Sequence, residues 1–401
     1  MLRIIKFASA FLGVAAFIFL LVFGLNWSSF QTLFDNREGL AEGSEWVEKT
    51  YSLKGLTQYI GEHPGTVSIA SVVLEEPDST IMYQEDTPRA MGTLSNLFLF
   101  IAYADAFERG DADPGERLDW EDISRYQLPG IGENKHRDTY RGGRSSGLID
   151  RDGTLSLGNA LQLLTKNNSL ALSDYLLSRL DSGRFDELFG RMSLEHTDKP
   201  VPFSGLLITT APSIQGMTPP ELLQHWKNEG RAGFEEAVFS NTERFLNGDE
   251  RNEWSEVLKN KRLGLNFMEE RDLLELYPAT TASELVSVMK KIVEGELLSA
   301  AVSGRVLDWI RYPMDEQTIR RNFSDYGALY DNRIGLLNGV DFGVSQYTGH
   351  TTVQAVFFDR MHIAVWFHMS SNHMHQDFQQ RLIWDPALIE SMKSEISNAS
   401  S

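Results

Sequence analysis

The sequence predicts an α+β fold: a five-stranded antiparallel sheet built from both ends of the chain, with terminal helices on one face and a helical body on the other. Three observations lead there. β-rich runs lie near the ends, at 66–74 and 80–83 and again at 340–347, 351–358 and 361–369. Most of the chain between them has helical periodicity or no strand pattern. Amphipathic helices flank the strands on the outside, at 45–62 and 377–396, and each needs an apolar surface to cover.

The amino terminus comes before this body. Arg3 and Lys6 precede a run, 7–25, that carries no charge and is long enough to cross a bilayer. No small-residue cleavage site follows; Asn26-Trp27-Ser28-Ser29-Phe30 has the aromatic character of a membrane interface. Asp35, Glu38, Glu42 and Glu45 come next. The pattern predicts a stub and single-pass signal-anchor over 1–30 in a bacterial inner membrane, with the bulk of the chain periplasmic; a cleaved signal peptide is the alternative. A tether over 31–44, a body over 45–396 and a tail over 397–401 complete the division.

The body is organised around Met91–Arg109. Leu97 to Ala104 is apolar on every face, which predicts a buried helix, and the charge at Asp105 makes it too short for a second span. Gly92, Thr93, Ser95 and Asn96 fall where this helix begins, beside its unpaired N–H groups. A hydroxyl there serves as a nucleophile, as part of an anion site, or simply as an N-cap.

Farther on, 126–153 is rich in Gly, Arg and Asp and reads as a surface excursion. Helical periodicity returns over 154–180 with a break at Thr165-Lys166-Asn167-Asn168-Ser169. A helical subdomain is expected over about 110–300, including a charged insert at 213–277 and a helix at 280–298 that Thr280, Thr281 or Ser283 would cap.

Composition narrows the function. The chain has 401 residues and a formal charge of −19, which argues against nucleic acid as the main partner. It contains no cysteine, so disulfides, thiolate catalysis and cysteine metal sites are excluded. Neither a cofactor nor a metal is called for. His362, His368, His373, His375 and Asp377 raise the question of a metal, but they fall where a β-run ends and a helix starts, and polar residues are ordinary there.

The element order resembles the serine β-lactamase and penicillin-binding transpeptidase superfamily, class A β-lactamases in particular, over roughly 45–396. Three stretches carry the resemblance: Tyr83 to Phe98 leading into the central helix, Thr280-Thr281-Ala282-Ser283-Glu284-Leu285 followed by Gly295-Glu296-Leu297-Leu298-Ser299, and Tyr347-Thr348-Gly349. The resemblance implies Ser-x-x-Lys at the helix start, Ser-Asp-Asn on a neighbouring loop and Lys-Thr-Gly on the edge strand. This chain departs from all three. It has Thr93-Leu94-Ser95-Asn96 at the first, and Tyr347-Thr348-Gly349 at the third, with His350 expected at the cleft rim. The second has two registers, Lys166-Asn167-Asn168 or Asn168-Ser169-Leu170. Glu195 is the nearest stand-in for the family's carboxylate base.

The expectation is a catalytically degenerate domain that binds a cell-wall peptide or an envelope partner, because a hydroxyl without an activating amine is a poor nucleophile. Its ligand contacts would be Ser95 and 347–350. One alternative is an active hydrolase, a divergent β-lactamase or D-Ala-D-Ala peptidase, in which Lys166 activates Thr93. Another is a structural partner in a membrane complex acting through 213–277.

Overall fold

The computed structural model describes residues 34–181 and 183–399. The predicted anchor at 7–25 lies outside these residues, and among the described residues no helix is long and apolar enough to cross a membrane.

The stretch expected to be a tether is instead packed from Asn36 onward. Helical turns at Arg37–Ala41 and Ser44–Val47 bury Gly39 and Trp46. Asn36 accepts the backbone N–H of Phe267, and Glu42 pairs with Arg271. The helix expected over 45–62 is broken, because Ser52 takes an extended backbone and caps α1 (Leu53–Glu62) by accepting the Gly55 N–H at 3.0 Å.

Beyond α1 come β1 (Val67–Val73), β2 (Ile81–Tyr83) and the central helix α2 (Asn96–Arg109). The helical body supplies α3 (Glu133–Ser146), α4 (Leu157–Asn167), α5 (Leu170–Leu177), α6 (Phe203–Thr209) and α7 (Pro219–Asn247). It continues with α8 (Ala282–Val293) and α9 (Ala300–Ile310). The chain then returns to the sheet with β3 (Phe323–Arg333), β4 (Leu336–Ser345) and β5 (Thr351–Phe358), and ends in α10 (Ile363–Ser371), α11 (Met374–Trp384) and α12 (Pro386–Ala399).

The sheet is five-stranded, in the order β2-β1-β5-β4-β3, and every neighbouring pair is antiparallel. Strand number and origin agree with the expectation; membership differs. Most of Met361–Met369 lies in helix α10, which begins at Ile363, and the fifth strand is β3 instead. A short, nearly continuous apolar run fits a strand or a buried helix equally well. The final helix also divides, at Asp385-Pro386, and α12 extends through part of the expected tail. The excursion at 126–153 contains α3, a mostly exposed helix that buries only Thr139 and Gly143.

Side chains alternate across the sheet as a pleat requires. Val67, Ile69, Val356 and Phe358 meet the terminal helices, while Ala70, Val353, Ala355 and Phe357 meet the helical body. There α2 is buried from Asn96 through Ala106, as its unbroken apolar run requires, until Gly110 ends it in the left-handed conformation.

A polar group interrupts the core between the sheet and α11. Asp341 is fully buried; its Oδ2 accepts from the Tyr326 and Tyr330 hydroxyls at 3.2 and 3.3 Å, and its Oδ1 has no partner. Burial raises its pKa from 3.8 to about 7. The folded state therefore holds this proton more tightly than the unfolded chain. Its stabilising contribution is complete below about pH 4 and is lost as pH rises through 7. Burial raises Asp174 and Glu270 to about 7 as well, with the same sign. The thermal midpoint should fall between pH 5 and pH 8, and Asp341→Asn should flatten that slope. Calorimetry across the pH range checks both.

Candidate functional site

The site forms where α2 begins, between the α4–α5 junction and the end of edge strand β3. Gly92 has φ +55°, a backbone that favours glycine, and turns the chain so that the Thr93 N–H faces β3. That N–H donates to Asp331 Oδ2 at 2.8 Å. Asp331 is 4% exposed and also takes the Arg333 Nε–H at 3.2 Å; the Arg333 guanidinium lies over the Phe203 ring. Asp331-Asn332-Arg333 thus stands on the strand segment beside Thr93, where the resemblance implied Lys-Thr-Gly.

Asn168 fills the other side. It has left-handed backbone, φ +50°, at the break between α4 and α5, and its amide reaches into the start of α2. Asn168 Nδ2 donates to Thr93 Oγ1, and its Oδ1 accepts from Asn96 Nδ2 at 3.1 Å. Asn96 Oδ1 in turn accepts the Ser173 hydroxyl at 2.6 Å. Thr93, Asn168, Asn96 and Ser173 therefore form a chain of neutral groups. It contains no base.

Asn168, which both second-motif registers share, is the residue that reaches Thr93, and Ser169 and Leu170 line the cavity beside it. Lys166 is exposed on the last turn of α4 and does not line the cavity at Thr93, so the expected Thr93–Lys166 pair is not formed. Helix geometry separates them: two residues from Asn168, Lys166 points to another side of α4. Ser95 is buried, but its hydroxyl is engaged by the Gly92 carbonyl at 3.0 Å, and neither it nor Thr93 makes a side-chain cap. Ser169 caps α5 instead.

The 347–350 segment is elsewhere. It forms the turn between β4 and β5, with Tyr347 exposed beside Trp384 and its hydroxyl 3.3 Å from Asn322 Oδ1. The Thr348 hydroxyl accepts the His350 N–H at 3.2 Å, Gly349 takes positive φ in the turn, and His350 lies 3.5 Å from Glu76. Antiparallel register explains the distance. The turn adjoins the Phe323 end of β3 and Thr93 adjoins the Asp331 end, roughly 25 Å away along the strand. Glu195 is exposed too, its backbone N–H held by Glu284 at 2.7 Å.

The imidazoles considered for a metal are dispersed. His362 packs against His63 and Tyr59, and His368 against Tyr51. His375 is buried with both nitrogens unbonded and its pKa pushed down to about 4 by burial, while Asp377 pairs with Arg381.

Four side chains that the sequence does not single out, Asp331, Arg333, Lys135 and His136, complete the site. A cavity of about 160 Å³ opens beside Thr93, Asn168 and Asp331, and Lys135, His136 and Arg333 share its lining. Lys135 is exposed as a residue, and desolvation where its amine meets the cavity wall lowers that amine, against the pull of Asp331 and with the push of Arg333. Burial likewise lowers His136, which stacks on Trp120 and lies 3.0 Å from the Ser124 hydroxyl. Tyr326, Ala328 and Tyr330 alternating with Gly327, Leu329 and Asp331 is a strand pattern that would have flagged Asp331. Nothing local to Lys135 would have placed it here.

Strand order, central helix and neighbouring loop together reproduce the arrangement that the resemblance implied. The fold is β-lactamase-like. No family model and no curated protein matches the chain. Among solved structures it is similar to a β-lactamase from Chitinophaga pinensis DSM 2588 at 14% identity and TM-score 0.48, covering 84% of this chain and 99% of that one. A β-lactamase from Sphaerobacter thermophilus DSM 20745 gives 12% and 0.47, with 83% and 97% covered. The protein PBP-A gives 13% and 0.44, with 82% and 96% covered. These similarities concern the course of the backbone alone; the chemistry of the site has to be read from its own residues.

Proposed function

We propose that this chain is a β-lactamase-like domain that has lost acyl-transfer chemistry and serves as a binding module. In this proposal 7–25 anchors it in a bacterial inner membrane and the domain lies in the periplasm, facing a cell-wall peptide or an envelope protein. One observation carries the loss of chemistry: the Asp331 carboxylate sits on the Thr93 N–H. Acyl transfer needs free donors aimed at the oxygen that becomes negative. A carboxylate already holding the donor repels that charge. The amides of Asn96 and Asn168 add no base that would take the Thr93 proton.

The decisive measurement is the intact mass of the full chain after incubation with a fluorescent penicillin, beside a Thr93→Ala control. The mass should stay unchanged and the antibiotic intact. An adduct present in the parent and absent in Thr93→Ala would overturn the proposal, as would turnover that Thr93→Ala abolishes.

A second reading has its own observation, the depressed Lys135 amine in the cavity that Thr93 lines. If Lys135 is the activating base, Lys135→Met abolishes the adduct as completely as Thr93→Ala does.

A further inference from the structure

An apolar recess larger than the Thr93 cavity lies between the helical insert and the body. Gly230, at φ +73° and ψ 176°, bends α7, and a side chain there would meet strained backbone. The first half of α7 packs Leu222 and Trp226 into the body. The second half packs Phe234 and Val238 against α6 and borders a groove of about 660 Å³ that the end of α5 and the 199–202 segment also line.

Its walls are apolar. Leu177, Phe185 and Val201 are buried at the bottom, Leu180 and Leu246 are half-buried, and Phe239 is 46% exposed along one lip. Its rim is acidic. Asp181, Glu236 and Glu243 make no ion pair or side-chain hydrogen bond among the described residues, whereas Lys199 is neutralised by Asp186 at 3.1 Å and Glu235 by Arg231 at 2.8 Å. An exposed phenylalanine between unpaired carboxylates leaves apolar area and negative charge together, and one class of occupant satisfies both.

We infer that this groove docks a basic amphipathic segment of a partner protein, apolar side chains inserted beside Phe239 and Lys or Arg set against Asp181, Glu236 and Glu243. Apolar anchors supply the affinity and the rim charges orient the segment and speed its approach. The inference is independent of whether Thr93 retains chemistry.

The test uses the full chain in phosphatidylcholine nanodiscs and a fluorescein-labelled amphipathic helical peptide made only of Leu and Lys, followed by anisotropy, with empty nanodiscs subtracted. Glu236→Lys with Glu243→Lys should weaken binding about tenfold or more. Glu62→Lys with Asp315→Lys, which makes the same change in net charge at exposed positions outside the groove, should leave it unchanged. Phe239→Glu separates docking from mere charge attraction. It makes the rim more acidic, so a purely electrostatic complex tightens, whereas a docked one weakens about tenfold. Equal loss in the outside pair, tighter binding in Phe239→Glu, or equal binding of the Leu and Glu counterpart of the peptide would each overturn the inference. Circular dichroism of each variant confirms that the fold is retained.

Discussion

Gly92→Ala should lower the unfolding free energy by roughly 2–5 kcal/mol. Two costs combine. An alanine at φ +55° adopts left-handed backbone that L-residues avoid. Its Cβ would also lie 1.9 Å from Asp331 Oδ2, so either the carboxylate or the start of α2 has to move. Moving the carboxylate breaks the 2.8 Å bond to the Thr93 N–H and unsettles Arg333, so the damage reaches the site itself. The two costs separate in a double-mutant cycle. In an Asp331→Ala background the contact with the carboxylate is gone, and Gly92→Ala should cost only the backbone term of about 1–2 kcal/mol. Denaturant unfolding of the four proteins measures this. An equal cost in both backgrounds would show that the carboxylate is not what confines Gly92.

Arg89→Ala should be as damaging, by about 3–5 kcal/mol, because it empties the centre of a buried charged network. Arg89 is 1% exposed, on a two-residue strand just before the central helix. Its guanidinium donates to the carbonyls of Pro64 at 3.1 Å and Val67 at 3.0 Å, to the carbonyl of Gly65, and to the Ser68 hydroxyl at 2.9 Å. It also offsets the buried carboxylate of Asp359, whose Oδ1 has no hydrogen-bond partner. Removing it takes a donor from three carbonyls at the entry to β1 and leaves Asp359 with the backbone N–H of Ala90 and with Arg360 at 3.5 Å. Arg89→Lys should recover little, since an ammonium cannot reach four acceptors in one plane. A thermal midpoint of Arg89→Lys near that of the parent would contradict this account.

What these residues share is that their partners lie far off in sequence. Local pattern was enough for much of the framework. The unbroken apolar run of Leu97–Ala104 marked an element buried on every side, and the β-rich runs at both ends called for a sheet that brings them together. The break after Thr165 likewise marked the α4–α5 junction that presents Asn168 to Thr93. These features follow from side-chain periodicity and backbone preference, which a sequence carries directly.

The site was decided elsewhere. Whether Met361–Met369 became strand or helix depended on which positions beside β4 and β5 were already taken, and that one choice determined which strand formed the edge. With β3 at the edge, Asp331 and Arg333 came to lie beside Thr93, and Tyr347-Thr348-Gly349 moved to the far end. Lys135 reached the same cavity from a helix with almost no apolar pattern, and Lys166, two residues from Asn168, faced away. Composition and periodicity determined that this chain would form an antiparallel sheet around a buried helix. Strand order and helix rotation decided that a carboxylate, and not an amine, would meet the hydroxyl at the head of that helix, because a residue's neighbours in space are set by packing across the whole chain.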